Sequence, residues 1–392
     1  MSGALSWSFI RLYLLVLLYF SANSILNVII PLQGEALGAT NTTIGLIMGA
    51  YLFTTMFFRP WAGQIIQKYG PIKVLRVILI VNGFALILYT VTGLGGFVVA
   101  RILQGVSTAF FSMALQIGII DALPEKDRSQ GISLYSLFSY IPGIVGPLLA
   151  LGIWRGDMEY FGVVMIAIAI FTGVFGYNAK MEKAKAQPDT KNPAQTGNML
   201  ASFSQLMKNP HLFKCGVLML SGSIIFGAIT IFIPLYAEEV RSGNAGIFLM
   251  LMAIAVVISR FSFRKLIPSD GKWHSFFMMG TMLLLAVGAQ SVSFAISGGV
   301  IFFYLGAILI GIAQALLYPT LTTYLSFVLP QGDRNVLLGL FIAMADLGVS
   351  LGGVLLGPIA DSYSFSTAYM FCAVLGLAML IFSYDRRKIF IG

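Results

Sequence analysis

Charged side chains stand inside long apolar stretches of the sequence, where a charge is costly and usually serves a function. Arg101 interrupts one such stretch, and Asp346 interrupts another near the end of the chain. A carboxyl group surrounded by hydrocarbon favours its neutral form, so Asp346 could take up and release a proton near neutral pH. Arg101 could support this proton coupling or attract an anionic group of a substrate, and Asp121 is a third candidate for proton coupling. Hydrogen bonds that only hold helices together are the alternative for each of them.

Amide and hydroxyl side chains occur in the same stretches and are candidates for substrate binding. Asn23 and Asn27 are four residues apart, so they share one face of a helix. Amides can bond a polar substrate without repelling an anionic one. Arg59 is either a cation beside a cavity or a packing residue. Three further polar side chains could line a cavity: Gln116, Gln314 and Tyr318.

The composition indicates that these residues are carried by membrane-spanning helices. Hydrophobic residues make up 58% of the 392-residue chain and charged residues only 10%, whereas soluble domains carry about 25% charged residues. A span needs about 20 apolar residues, and the sequence divides into about twelve such runs. The predicted spans are 9–30, 43–66, 74–93, 97–120, 131–153, 160–178, 212–235, 245–263, 275–296, 299–327, 336–360 and 367–384. The first run is too long for a signal-peptide core and lacks a small-residue cleavage site.

The basic residues predict the orientation of these spans. With the N-terminus in the cytoplasm, most of the 24 lysine and arginine residues fall in cytoplasmic segments, as the positive-inside rule requires. Both termini are then cytoplasmic. The net charge of +9 reflects the basic cytoplasmic segments and does not indicate a nucleic-acid partner. A polar, lysine-rich segment divides the chain. The predicted domains are a six-helix bundle at 1–179, a cytoplasmic linker at 180–210 and a second six-helix bundle at 211–392.

The two halves of the chain resemble each other. The pair Asp127-Arg128 recurs as Asp333-Arg334, and Gly146-Pro147 recurs as Gly357-Pro358. The first pair is expected in a polar loop, Pro124–Arg128, before the fifth span. A duplicated six-span unit is typical of transporters that give alternating access to a site near the membrane midplane.

Three motifs resemble those of the major facilitator superfamily. The first is Arg101-Ile102-Leu103-Gln104-Gly105 in the fourth span, similar to the R-x-x-Q-G pattern of the superfamily. The second runs from the second span into the following loop and includes three residues expected to act in gating: Gly63, Lys68 and Gly70. In this motif Gln67 stands where the family usually has an aspartate, which implies a weaker or differently built latch.

The third motif, which includes Gly146 and Pro147, is similar to one found in exporters of the superfamily. Glycine allows helices to approach closely, and proline bends them. The match is partial, because Ala150-Leu151 stand where a glycine pair is usual. The motif favours export over import and assigns Gly146 and Pro147 to gating.

The resemblance covers essentially the whole chain. It implies an all-α membrane protein with twelve transmembrane helices in two pseudo-symmetric six-helix bundles, the major facilitator fold. Within the superfamily, the chain is similar to bacterial exporters of opine-type metallophores, which are anionic molecules with several carboxylates. The predicted function is therefore proton-coupled export of such a molecule by alternating access. A multidrug/proton antiporter for lipophilic compounds is the alternative, and a nutrient importer ranks third.

Other functional classes find little support in the sequence. The chain lacks the G-x-x-x-x-G-K-[ST] pattern of an ATP-driven pump, and sparse polar residues in the spans argue against a membrane-embedded enzyme. His211 and His274 are its only histidines, and Cys215 and Cys372 lie far apart in the sequence. We therefore expect no cofactor, no metal and no disulfide. The expected partners are a small-molecule substrate, protons and the lipid bilayer of the cell membrane, with the chain as a monomer.

Overall fold

The computed structural model describes residues 4–156, 158–179, 208–263, 265–330 and 334–384. Within these ranges, twelve helices are long and apolar enough to span a membrane. Their bounds are α1 Trp7–Ala36, α2 Asn41–Tyr69, α3 Pro71–Val91, α4 Leu94–Ala122, α5 Glu125–Arg155, α6 Glu159–Tyr177, α7 Pro210–Glu239, α8 Ala245–Ser262, α9 Ser275–Ser293, α10 Val300–Val328, α11 Arg334–Ser362 and α12 Phe365–Ser383. The prediction of an all-α chain with twelve spans is confirmed. Most of the predicted linker and Asp333 lie outside the described residues.

Several helices extend beyond the predicted spans. The segment Pro124–Arg128, expected as a loop, contains the first turn of α5, with Pro124 at the position that precedes the helix. Arg128 donates from Nε to the carbonyl oxygens of Ile120 and Leu123, at 3.0 and 3.2 Å. These carbonyls end α4 and have no partner inside it, so the guanidinium satisfies them. The polar residues of this segment therefore begin α5, and Arg128 caps the C-terminal end of α4.

Three helices of the C-terminal half begin with a side-chain cap. Asn209 accepts hydrogen bonds from the backbone of His211 and Leu212, and Pro210 occupies the first helical position of α7. Asn244 caps α8 and Ser364 caps α12 in the same way. Such caps satisfy amide groups that have no partner within the helix, so short polar sequences between apolar runs fix where these helices start.

The described chain divides into two compact units. The N-terminal unit includes the residues up to Ala39 and from Ala50 through α6. In it α3 packs on α4 and α6, and α1 packs on α5. Its core includes Tyr19 stacked on Phe111, with ring centroids 3.8 Å apart. This packing holds α1 and α4 side by side, and these two helices carry most of the predicted site of this unit.

The C-terminal unit contains α7 to α12 and also Thr40–Gly49, the start of α2. Asp361, near the end of α11, accepts hydrogen bonds from the backbone amides of Asn41 and Thr42, each at 2.8 Å. The carboxylate thus caps a helix that is more than 300 residues away in sequence, and negative charge is favourable at a helix N-terminus. Ser350 Oγ donates to the carbonyl oxygen of Gly49 at 2.9 Å. The sequence had not singled out Asp361.

Candidate substrate site

Arg101 is the centre of a polar cluster in the N-terminal unit. Its side chain is fully buried. Nη1 donates to Asn23 Oδ1 at 3.3 Å and to Gln104 Oε1 at 3.4 Å, and Nη2 donates to Asn27 Oδ1 at 3.1 Å. The guanidinium also lies over the Tyr51 ring, with Cζ 5.3 Å from the centroid. The structure therefore brings Asn23, Asn27 and Arg101 together.

These contacts account for a charge held inside an apolar helix. An arginine at the centre of a span costs roughly 3 kcal/mol on insertion scales. Hydrogen bonds to a charged group contribute about 1.5–3 kcal/mol each, and a cation over an aromatic face adds about 1–2 kcal/mol. Three amide acceptors and one ring are enough to offset the cost. The hydrogen bonds and the ring contact therefore stabilise the guanidinium inside the span.

The arginine also determines which way the two asparagine amides point. A guanidinium only donates hydrogen bonds, so the oxygen atoms of Asn23 and Asn27 must face it. The Nδ2 groups of both amides then face away from Arg101. Both asparagine side chains are half-buried, so their Nδ2–H donors are partly accessible. The two Nδ2 groups lie one helical turn apart on the same face of α1.

Gly105 brings α2 close enough to α4 for Tyr51 to reach Arg101. A Cβ atom at position 105 would overlap the carbonyl oxygen of Tyr51 and lie 2.8 Å from Thr54 Cβ. Thr55 Oγ1 donates to the carbonyl oxygen of Gly105 at 3.0 Å. The glycine that ends the R-x-x-Q-G pattern is therefore required by helix packing, and this packing places the ring over the guanidinium.

A layer of hydroxyl groups lies beside the cluster. Tyr89 donates to Gln104 Oε1 at 2.9 Å. Tyr51 donates to Thr108 Oγ1 at 3.0 Å, and Thr108 Oγ1 lies 2.8 Å from the Tyr19 hydroxyl. These bonds fix the rings and Gln104, and therefore the surroundings of the guanidinium. Sequence reasoning had not singled out the tyrosines, because aromatic residues are common in every span.

Arg59 and Gln116 belong to a second polar group of the N-terminal unit. Gln116 is exposed and Arg59 is half-buried. The Tyr135 hydroxyl shares a hydrogen bond with the Gln116 side chain and interacts electrostatically with Arg59. Tyr135 of α5 therefore links this cation and this amide, which are not among the hydrogen-bond partners named above for Arg101.

Asp121 lies far from Arg101 although both are carried by α4. The two residues are 20 positions apart, or about 30 Å along a helix. Asp121 is exposed, and together with Gly70 and Lys73 it lines a pocket of about 250 Å³ at the end of α4. The structure therefore does not unite the three predicted proton-coupling residues in one place.

The C-terminal unit carries the remaining predicted residues on α10 and α11. Gln314 and Tyr318 are one helical turn apart on α10 and are both half-buried. The Tyr318 ring stacks on Phe341 of α11, with centroids 6.0 Å apart. Asp346 is half-buried near the middle of α11. It is therefore far from both ends of its helix.

Comparison with known proteins establishes the family. The model of the Major Facilitator Superfamily matches residues 12–273 and 271–388. This chain belongs to the major facilitator superfamily. It is 55% identical over 99% of its length to the staphylopine export protein of Staphylococcus aureus, of which the match covers 98%. The chain is therefore a membrane transporter.

Solved structures of major facilitator proteins share the fold. The nucleoside transporter NupG aligns over 97% of this chain and 100% of its own, with a TM-score of 0.77 and 15% identity. The human organic anion transporter MFSD10 aligns over 96% of this chain and 98% of its own, with a TM-score of 0.68 and 15% identity. The predicted major facilitator fold is confirmed.

The residues predicted to act in gating lie in the N-terminal unit. Gln67 and Lys68 are exposed on the last turns of α2, and the Lys68 ammonium lies 5.2 Å from the Tyr69 ring centroid. Gly63 approaches α4, where an added Cβ would lie 3.3 Å from Met113 Cε. Gly70 has a φ of 83° and directly precedes α3. The chain turns sharply at this glycine, between α2 and α3.

The third motif of the sequence, which includes Gly146 and Pro147, packs against Ser24 of α1. A Cβ atom on Gly146 would overlap Ser24 Oγ and lie 2.6 Å from Ser24 Cβ. Ser24 Oγ donates to the Pro142 carbonyl oxygen at 2.8 Å. Ser24 lies between Asn23 and Asn27 in sequence, so α5 supports the helix that carries the amides. Pro147 follows within α5.

Proposed function

We propose that this chain exports an anionic opine-type metallophore, such as staphylopine, across the cell membrane in exchange for protons. The 55% identity to the staphylopine export protein over nearly the whole chain supports this substrate class. The structural observation that carries the proposal is the pair of asparagines oriented by a buried arginine. A multidrug/proton antiporter is the competing assignment.

The oriented amides suit a carboxylate. Each Asn Nδ2 group has two N–H donors, and Asn23 and Asn27 present theirs on one helical face. A carboxylate oxygen accepts such bonds, and the positive charge of Arg101 behind the amides attracts it through a medium of low dielectric. Arg101 then positions the amides and supplies a positive electrostatic potential, while the amides contact the substrate. Gln116 and Arg59, together with Gln314 and Tyr318, are further candidates for substrate contact.

The same cluster disfavours a lipophilic cation. Three amide oxygens are already committed to Arg101, so the acceptors that a cation would need are occupied. Two like charges about 6 Å apart repel by about 3 kcal/mol at an effective dielectric constant of about 20. A drug antiporter of this superfamily usually has an acidic residue in the first span, and this chain has amides there.

Transport in this proposal follows the alternating-access scheme of its superfamily. The two predicted bundles at 1–179 and 211–392 expose a central site to one side of the membrane at a time, and the 180–210 linker and both termini lie in the cytoplasm. The distribution of lysine and arginine supports this orientation. One chain carries both bundles, so a monomer is sufficient. Gly63, Lys68, Gly70, Gly146 and Pro147 serve as gating residues.

Export assays test the substrate class. Cells that lack the gene should retain staphylopine, measured by mass spectrometry, and a plasmid copy should restore its release. A lipophilic cationic dye followed in the same cells should accumulate to the same level with and without the gene. If loss of the gene makes the dye accumulate and leaves staphylopine release unchanged, multidrug efflux replaces the metallophore assignment.

Asp346 carries the proton in this scheme, because its carboxyl group lies half-buried near the middle of a spanning helix. An Asp346→Asn variant is expected to lose the stimulation of export by a proton gradient, since an amide does not exchange protons. The measurement is substrate uptake into inside-out vesicles at imposed pH differences. Asp270→Asn, which changes an exposed acid outside the spans, is the matched control and should keep the stimulation. A wild-type response to pH in Asp346→Asn would remove Asp346 from proton coupling.

A further inference from the structure

A groove lies on the outer surface of the N-terminal unit between α3 and α6, and none of its lining residues belongs to the candidate substrate site. Its volume is about 440 Å³. Its walls are almost entirely apolar, and Ile80, Phe84 and Ile87 of α3 face Ile166 and Ile170 of α6 across it. The lining residues, all within the described ranges, include no acid.

Two glycines, which have no side chain to fill the space, line this groove. Gly83 of α3 and Gly173 of α6 are both among its lining residues. An added Cβ on Gly173 would meet no atom within 4 Å, and one on Gly83 would lie 4.0 Å from Ala169 Cβ. Side chains would fit sterically at both positions, so helix packing does not require these glycines. Their effect is to leave a channel open along the helix pair.

The length of the groove matches one leaflet of a bilayer. On α3 it extends from Arg76 to Ile87, and on α6 from Ile166 to Tyr177. Each stretch covers 11 residue steps, or about 16 Å at 1.5 Å per residue. The hydrocarbon core of a bilayer is about 30 Å thick, so half of it is about 15 Å. An acyl chain of a single leaflet would fill the groove from end to end.

A cation marks one end of the groove. Arg76 is exposed and donates from Nη2 to the carbonyl oxygen of Tyr177 at 3.0 Å, with Cζ 4.9 Å from the centroid of the Tyr177 ring. Tyr177 is the last residue of α6, so the guanidinium lies at the level where that helix ends. A guanidinium has five N–H donors in a plane, which leaves donors for a phosphate, a group that arginine binds in bidentate fashion.

Lys73 adds a second cation near the same end. It is exposed and precedes Arg76 by three residues, so the two side chains share one face of α3. We propose that this groove binds one anionic phospholipid, with an acyl chain along α3 and α6 and the phosphate on Arg76. The apolar walls hold the chain of any phospholipid, whereas the positive charge of Arg76, in a groove whose lining residues include no acid, selects an anionic headgroup.

Native mass spectrometry of the purified full-length protein tests the site. The protein is exchanged into micelles with equal amounts of phosphatidylglycerol and phosphatidylcholine of the same chain length. Wild type is expected to retain about fivefold or more phosphatidylglycerol over phosphatidylcholine. Arg76→Gln should retain lipid without this preference. Gly173→Leu, which fills the groove, should lose both lipids.

Gly280→Leu is the matched control, because Gly280 of α9 is exposed and an added Cβ there meets no atom within 4 Å. It should retain the lipids as wild type does. Equal retention of both lipids by wild type would overturn the headgroup assignment. Retention of phosphatidylglycerol by Gly173→Leu at the wild-type level would overturn the location. Thermal unfolding of each variant in detergent alone separates lost lipid binding from lost folding.

Discussion

Export by an Arg101→Lys variant is expected to fall by about tenfold or more, although the positive charge is kept. The planar guanidinium reaches Asn23, Asn27 and Gln104 at once. A lysine ammonium has three donors on one nitrogen and cannot reach all three amides from the same backbone position. Loss of one charge-assisted hydrogen bond costs about 1.5–3 kcal/mol, and 1.4 kcal/mol is a factor of ten. The measurement is the initial rate of metallophore export at equal amounts of membrane-inserted protein.

The control for this variant is Arg155→Lys, which changes an exposed arginine at the end of α5 and should export normally. The predicted defect is one of binding, because the amide groups lose their fixed orientation while the charge remains. The substrate concentration for half-maximal rate should therefore rise more than the maximal rate falls. Normal half-saturation in Arg101→Lys would mean that Arg101 does not orient the substrate-binding amides.

The second large effect is expected from a single methyl group on α5. Gly146→Ala should lower the midpoint of thermal unfolding and reduce export, because the new Cβ would overlap the Ser24 side chain. Overpacking of this kind costs about 1–3 kcal/mol, whereas glycine to alanine inside a helix otherwise gains about 1 kcal/mol. The helices must separate to accept the methyl group, and α1 carries Asn23 and Asn27 on either side of Ser24. Unfolding in detergent and export in cells are the two measurements.

Gly152→Ala serves as the control, since Gly152 lies on the same helix and an added Cβ there meets no atom within 4 Å. It should be as stable as wild type or more stable. A Ser24→Gly change combined with Gly146→Ala should recover part of the lost stability, because it removes the overlapping side chain from the other helix. Equal stability of the two alanine variants would show that α1 and α5 do not need this close approach.

Most of the fold could be predicted from the sequence, because apolar length alone identifies a membrane span. The ends of the helices were less predictable. The segment Pro124–Arg128 is polar and looks like a loop, yet its residues begin α5 and Arg128 caps α4. Hydropathy reports where the hydrocarbon lies, and helices continue into water wherever side chains satisfy their end groups.

The candidate site was predictable only in part. Arg101 stands out because a charge in an apolar run is rare, and Asn23 and Asn27 follow from their spacing. Tyr51 could not be identified, because its place over the guanidinium depends on the approach of α2 at Gly105. Asp361 escaped notice because an acid near the end of a span resembles a loop residue. Its role in capping α2 depends on a contact across more than 300 residues of sequence.

The orientation of the two asparagines has an evolutionary consequence. Codons for asparagine and aspartate differ only in the first base, so one nucleotide change at position 23 or 27 would place a carboxylate against Arg101. The resulting ion pair would neutralise the guanidinium and replace an N–H donor by an acceptor. Under the proposed function, the site would then lose the positive potential and one of the N–H donors that attract a carboxylate. A single base change in either codon would therefore remove the preference for an anionic substrate.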